Sequence, residues 1–224
     1  MSIIVAGAIA GAAHVVTGPD HLAAVAPLIA ERPKHGWRLG LRWGVGHGFG
    51  VLLLGLAGVL FRDQINVDLL SNYSERLVGV LLIVIGVWAL WRSRGVVVHR
   101  HAHRHFVDEH VHDHDQDSEH EHEHEHVHVH APTTFGNGRA VFGIGMLHGA
   151  AGTGHFLGVL PSLALQGSDS LVYLTTYFCS AIFAMTFFGW SMSRFVVDSQ
   201  RITVWMQVLA VCSIVVGIYW LELF

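Results

Sequence analysis

The sequence predicts an all-α integral membrane protein with six transmembrane helices, arranged as two inverted three-helix repeats whose first and fourth helices are broken. Three observations lead to this prediction: long apolar segments, one very polar segment near the middle, and a pattern of histidine and proline that occurs twice. Hydrophobic residues make up 52 % of the 224 residues and charged residues only 13 %. Because a soluble domain carries about 25 % charged residues, this composition is typical of a membrane protein.

Six segments are long and apolar enough to be helical spans, since about 20 mainly apolar residues cross a bilayer. The first and fourth are longer than a straight crossing requires, and each contains helix-breaking residues, at positions 17–19 and 152–154. Such breaks are tolerated at membrane depth only where the backbone lines a cavity or packs on protein. The predicted spans run approximately from Ile3 to Ala30, Leu39 to Phe61, Leu77 to Trp91, Ala140 to Leu165, Leu171 to Phe195 and Ile202 to Leu223.

The two broken spans share one pattern: a histidine, six residues, a second histidine, five residues and a proline. One constant shift in residue number, the repeat shift, takes His14 to His148 and superposes the two copies. Each half then has three spans, and this odd number places the halves in opposite orientations, as in many secondary transporters. The predicted organisation is a first repeat over residues 1–95, a loop over 96–137 and a second repeat over 138–224. The copies are His14, His21 and Pro27, and His148, His155 and Pro161.

Ionisable side chains inside these spans are the candidate functional residues, because burying them in a membrane is costly. Imidazole and carboxylate together suit Ni, Co, Zn, Cu or Fe better than alkali ions. Gly154 stands where the first half has its aspartate, so the second-half histidines could ligate, gate or relay protons. The predicted metal ligands are His14, Asp20, His21, His47, His148 and His155.

The central loop contains 13 histidines between His99 and His130, alternating in part with Asp and Glu. A tract of this composition cannot bury enough apolar surface to fold, so we expect it to be disordered. Its expected role is loose, multivalent metal binding, and the alternative is a solvating linker.

Ten Lys and Arg residues lie in loops on one side of the predicted topology and two on the other. This bias predicts a cytoplasmic loop and both termini outside.

Three stretches resemble the nickel/cobalt transporter superfamily, and most closely its urease-accessory nickel-transport membrane protein branch: residues 14–27, 43–48 and 145–161. The resemblance implies transport of Ni²⁺ or Co²⁺ and recognition of the ion by His14, Asp20 and His21. Five residues separate His14 from Asp20, one more than in the nickel permease motif, so the metal stays open and includes Zn²⁺. Related branches include efflux proteins, so the direction is open too.

The expected function is therefore secondary transport of divalent transition-metal ions across the cell inner (plasma) membrane. The alternatives are an efflux protein for Ni, Co or Zn and a membrane metal-binding accessory protein that does not transport. An enzyme is not expected, because the spans contain no His-Glu-x-x-His motif and the two cysteines form no redox pair. We expect no tightly bound cofactor and no nucleic-acid partner; the partners are the lipid bilayer and metal ions, with a homo-oligomer left open.

Overall fold

A computed structural model describes residues 2–60, 67–94, 97–103, 124–130, 138–151, 155–197 and 202–223. The chain forms two compact units, one of residues 1–94 with 133–224 and one of residues 95–132. The elements of the first unit are helices α1 (Ile3–Thr17), α2 (Pro19–Glu31), α3 (Gly36–Leu60), α4 (Val67–Ser93), α5 (Gly138–Ala151), α6 (His155–Leu163), α7 (Ser168–Val197) and α8 (Ile202–Leu223), with one short 3₁₀ turn, Pro33–His35.

Helices occupy all six predicted spans, and the first and fourth spans each contain two helices. Large apolar side chains on these helices are exposed, for example Phe183 on α7 and Val215 on α8; such a surface suits lipid and not water. In the described part, α3 and the α5–α6 pair do not qualify as spans by length and composition alone, so six spans remain a prediction. Three helices do qualify, or four if α1 and α2 form one bent span: Tyr73–Ser93, Ser168–Val196 and Ile202–Glu222.

The predicted break in the first span lies at Gly18, where α1 and α2 meet at an angle of 68°. Gly18 has an extended backbone, with φ −87° and ψ 95°, and its N–H donates to the carbonyl of His14. Pro19 then begins α2, a position where its missing N–H leaves no intrahelical bond unmade. Asp20 follows in the first turn, where a negative charge is stabilised by the helix dipole. The second predicted break, residues 152–154, lies outside the described residues.

Helix α2 is the buried centre of the first unit. Every residue from Ala23 to Glu31 is buried, and α2 contacts α3, α4, α7 and α8. Its far end is fixed by a buried ion pair, in which Arg92 of α4 donates to Glu31 through Nη2 at 2.6 Å and Nε at 3.1 Å. The short helix that carries Asp20 is therefore held inside the protein at both of its ends.

Close helix contacts join each half of the chain to the other. Helix α3 lies along α5, and α1 lies along α7. A methyl group added at Gly145 of α5 would collide with the backbone of Trp43, and one added at Gly11 of α1 would collide with the backbone of Tyr177. The repeat shift relates these two contacts, since it takes Gly11 to Gly145 and Trp43 to Tyr177. Small residues at such positions allow membrane helices to pack backbone to backbone.

The remaining long helices, α4 and α8, also pack closely on each other. Gly79 and Gly217 lie against each other's backbone, and the hydroxyl of Ser213 donates to the carbonyl of Leu82 at 2.9 Å. The indole of Trp220 donates to Glu75 at 2.9 Å. In the described part of the first unit, three tight helix pairs, α1–α7, α3–α5 and α4–α8, thus pack around α2.

The second unit contains an antiparallel pair of strands, β1 (Val97–His103) and β2 (His124–His130). The register places His99 opposite His128 and His103 opposite His124. Two short strands thus lie within the loop that the sequence predicts to be disordered; the disorder of the loop as a whole stays a prediction, and the described elements of the first unit are all helical. In β2, Val127 and Val129 alternate with histidine, and β-branched residues with period two favour a strand. Residues 104–123, between the strands, lie outside the described residues, and the predicted loop limits of 96 and 137 stay a prediction.

Candidate metal site

The carboxylate of Asp20 lies at the centre of a buried polar cluster just after the helix break. Nδ1 of His21 lies 2.9 Å from one of its oxygens, and Nε2 of His148 lies 3.1 Å from the other. All three side chains are buried, His148 completely. Because His21 belongs to α2 and His148 to α5, the carboxylate is held between the two halves of the chain.

His14 extends this cluster toward the surface of α1. Its Nε2 lies 3.1 Å from Nε2 of His21, and the two rings are almost perpendicular. A neutral imidazole has one donor and one acceptor nitrogen. If His21 donates to Asp20 through Nδ1, it accepts at Nε2, and His14 is then the donor. His14 is only partly buried, so it is the most accessible of the clustered histidines.

Helix α3 contributes His47 and, one turn earlier, Trp43. The indole of Trp43 stacks on the imidazole of His47, with ring centroids 5.0 Å apart and planes within 5°. The ring of His47 lies 4.8 Å from that of His21 and 5.7 Å from those of His14 and His148. Stacking on a fully buried indole fixes the plane of His47.

The position of His148 follows from the close approach of α5 to α3. Gly145 lies against the backbone of Trp43, and Gly149 lies against the backbone of His47. His148, between these two glycines, is therefore placed inside the helix interface. The two glycines explain why the short sequence around His148 brings an imidazole from the second half to the break in the first.

Two overlapping groups in this cluster have the spacing of metal ligands. In each group, one ligand atom from each residue lies within 4.8 Å of the others, and both groups contain His21. Imidazole nitrogen is a good ligand for Zn, Cu, Fe and Ni, and a carboxylate adds the negative charge that a dication requires. The groups are His14 with His21 and His47, and Asp20 with His21 and His148.

Five of the six predicted ligands thus lie together: His14, Asp20, His21, His47 and His148. The sixth, His155, begins α6, and its side chain lies outside the described residues. That these residues bind metal stays a prediction. A lone carboxylate at membrane depth would cost about 2.5–3.5 kcal/mol, and the two hydrogen bonds from histidine together with a bound cation would offset that cost.

Two aromatic residues of the site were missed by sequence reasoning. Trp43 contacts His21, His47 and His148 with ring centroids 5.0–5.6 Å apart, and the ring of Tyr177 lies 5.8 Å from that of His14. The repeat shift takes Trp43 to Tyr177. That equivalence, together with the one-turn spacing of Trp43 and His47, is the signal that could have found them.

Comparison with known proteins gives three relatives. The chain is 41 % identical over 81 residues to each of two proteins of Arabidopsis thaliana, the chloroplast proteins FOR GROWTH AND FERTILITY 1 and 2. These alignments cover 36 % of this chain and 22 % of each relative. The chain is 30 % identical over 105 residues to the urease accessory protein UreH of Bacillus sp. (strain TB-90), covering 46 % of this chain and 45 % of that protein.

The chain therefore spans less than half the length of each of these relatives. No solved structure matches it. The model of one family, described as sulfite exporter TauE/SafE, matches residues 1–221, which is nearly the whole chain. Together with the apolar helices, this match indicates a membrane protein of a transporter family. The chain belongs to the sulfite exporter TauE/SafE family.

Proposed function

We propose that this protein is a secondary transporter of divalent transition-metal ions, Ni²⁺ or Co²⁺, across the cytoplasmic membrane. The observation that carries the proposal is the carboxylate of Asp20, buried between His21 and His148 at a helix break, with His14 and His47 beside it. A buried site of one carboxylate and four imidazoles offers a dication both charge and nitrogen ligands. The name of the similar urease accessory protein is consistent with nickel as cargo.

The proposed architecture is six spans in two inverted repeats. The paired helix contacts support it, because the repeat shift that relates the histidine patterns also relates the α3–α5 contact at Gly145 to the α1–α7 contact at Gly11. Inverted repeats place the substrate near the membrane midplane at broken helices. The cluster at Gly18 has that character, since it lies where α1 ends and α2 begins.

The proposed mechanism is transport by alternating access. An ion entering from the α1 side first meets His14, the least buried ligand, and imidazole nitrogens replace its water ligands. Asp20 supplies the charge that makes the buried position favourable for a dication. The ion leaves when the halves move apart, because His148 belongs to one half and Asp20 to the other. Imidazole can carry a proton as well as bind a metal, so coupling of ion movement to protons is part of the proposal.

An anion is the competing cargo, because the family is described by the name sulfite exporter. The charge of the site argues against it: a bound anion would lie beside the carboxylate of Asp20 in a buried environment, where like charges repel strongly. At least two of the four histidines would have to be protonated to give the cluster a net positive charge and reverse that preference. A transition-metal cation is favoured in the neutral state of the histidines.

The direction of transport is part of the test. The excess of Lys and Arg predicts a cytoplasmic histidine-rich loop, and such a loop suits both receiving imported ions and collecting ions for export. Export of Ni, Co or Zn is therefore the second candidate. An accessory protein that only binds metal is the third candidate, and the break between α1 and α2 has no evident use in such a protein.

The experiment compares metal content in cells that express the wild type, Asp20→Asn or His14→Ala. Asn keeps the shape of Asp20 and removes its charge. His35→Ala is the matched control, since His35 is exposed in the 3₁₀ turn outside the cluster. Higher cellular Ni or Co with wild type and His35→Ala than with the site variants means import, and lower means export. Equal Ni, Co, Zn and Mn in all cells, with sulfite efflux that depends on Asp20, would overturn the proposal in favour of an anion.

A further inference from the structure

We propose that the site offers a metal ion two alternative positions that share His21, and that transport requires the ion to pass from one to the other. This inference rests on the proposed function and adds to it the path of the ion within the site. The three-imidazole position is formed by His14, His21 and His47. The carboxylate position is formed by Asp20, His21 and His148.

The ring of His21 separates the two positions because its two nitrogens face different groups. Nδ1 lies 2.9 Å from the carboxylate of Asp20, and Nε2 lies 3.1 Å from Nε2 of His14. An ion bound through Nε2 therefore has His14 and His47 as its neighbours. An ion bound through Nδ1 has Asp20 and His148.

Each position has a size that suits a transition-metal ion. A metal–nitrogen bond of about 2.0–2.1 Å places two opposite ligand atoms about 4.0–4.2 Å apart. The ligand atoms of each group already lie within 4.8 Å of one another, so a small rotation of the side chains closes either position. No larger movement of the helices is required to bind the ion.

Occupation of the two positions is mutually exclusive. A neutral imidazole has one lone pair available for a metal, and the other nitrogen carries the proton. When the ion leaves Nε2 and binds Nδ1, the proton of Nδ1 must therefore be transferred to Nε2. One ion occupies the site at a time, and no charge is gained or lost in the exchange.

The two positions differ in exposure and charge, so they differ in how easily an ion reaches them and in how tightly they hold it. The three-imidazole position has no formal charge and includes His14, the partly buried ligand. The carboxylate position has one negative charge, and all its ligands are buried. A dication is therefore held more tightly in the carboxylate position, and the three-imidazole position is the one where it enters or leaves from the α1 side.

The test uses the full chain, purified in detergent, with the 13 histidines of the central loop replaced by serine so that cobalt binds only in the membrane part. Co²⁺ is the probe, since its visible absorption reports the number and type of its ligands. The variants are His21→Ala, His47→Ala, His148→Ala and the double variant His47→Ala/His148→Ala. His35→Ala is the control for loss of a histidine outside the site.

We expect His47→Ala and His148→Ala each to bind one Co²⁺ but with different spectra. His47→Ala keeps the carboxylate position and an affinity within about 3-fold of wild type, whereas His148→Ala is weaker by about 10- to 100-fold. His21→Ala and the double variant lose the ion. Both single variants lose transport, because each lacks one position of the path. Retained binding shows that these variants are folded, and His47→Gln and His148→Gln replace any that cannot be purified.

Superposable spectra of His47→Ala and His148→Ala would overturn the two-position inference, as would a wild type that binds two Co²⁺ ions at once. Those outcomes leave the proposed function intact if His21→Ala still abolishes Ni²⁺ or Co²⁺ transport. Transport at wild-type rate by His21→Ala would instead overturn the proposed function itself. The two failures are therefore separate observations.

Discussion

Replacing Gly149 by alanine should separate α5 from α3 and thereby weaken the site without changing any ligand. A Cβ at this position would collide with the carbonyl oxygen of His47 and would lie 2.9 Å from its carbonyl carbon and 3.0 Å from its Cα. Carbon atoms prefer a separation of about 3.5–4.0 Å, so the carbon contacts alone require the two helices to move apart by about 0.5–1 Å. Backbone atoms cannot relieve the contact by a change of rotamer, as a flexible side chain can.

Metal–ligand distances tolerate errors of about 0.2 Å, so this displacement of His148 from His47 and His21 is large for the site. We expect Gly149→Ala to lower the affinity for Co²⁺ about 10- to 100-fold, or about 1.4–2.8 kcal/mol. Overpacking should also lower the free energy of unfolding by about 1–3 kcal/mol. The assay is titration of Co²⁺ into the purified chain with loop histidines changed to serine, beside thermal unfolding in detergent.

The matched control lies on the same helix. No described atom lies within 4 Å of a Cβ added at Gly143, so Gly143→Ala should leave the affinity for Co²⁺ unchanged. It should raise stability by up to about 1 kcal/mol, because alanine favours a helix more than glycine does. If Gly149→Ala binds Co²⁺ as Gly143→Ala does, the argument from helix spacing is refuted.

Two further substitutions test the packing around the site. Arg92→Met leaves Glu31 buried without its partner and should lower the free energy of unfolding by about 3–5 kcal/mol, whereas adding Glu31→Leu should restore most of that loss. Thermal unfolding in detergent measures the stability of both variants. An equal loss in the single and double variants contradicts the prediction. Trp43→Phe keeps an aromatic ring against His47, so its affinity for Co²⁺ should stay within about 3-fold of the wild-type affinity. Trp43→Ala removes the ring that contacts His47 and His148 and should lower the affinity for Co²⁺ about 10- to 100-fold. Equal Co²⁺ affinities for these two Trp43 variants would rule out positioning by the ring.

Hydropathy and local chemistry predicted much of the fold. The apolar segments are helices, and the break at Gly18 and Pro19 lies where the sequence places it, since an extended glycine before a proline ends one helix and begins another. The burial of α2 from Ala23 to Glu31 was not predicted. A short apolar helix has the same hydropathy whether it faces lipid or protein, so hydropathy alone cannot place Ala23 or Ile29 in the interior.

Sequence reasoning singled out most of the polar side chains that the structure brings together at the candidate site, but it did not single out the aromatic residues that support them. Histidine and aspartate are conspicuous in a membrane segment, so His14, Asp20 and His148 were identified from their chemistry. Trp43 was not, because an aromatic residue in an apolar helix has no special pattern. The strand at Val97–His103 was not predicted either, because the composition of the loop favours disorder over any regular element.

Because α1 packs against α7 and α3 against α5, neither of these early helices has its closest partner while the first half of the chain is being synthesised. Asp20 is synthesised before His148, so its carboxylate lacks this hydrogen-bond partner until the histidine 128 residues later has been made. The cell therefore has to insert a helix with a costly charged residue that only the completed chain can enclose. A truncation after α4 should leave Asp20 without that histidine, and membrane quality control should remove such a fragment faster than the whole protein.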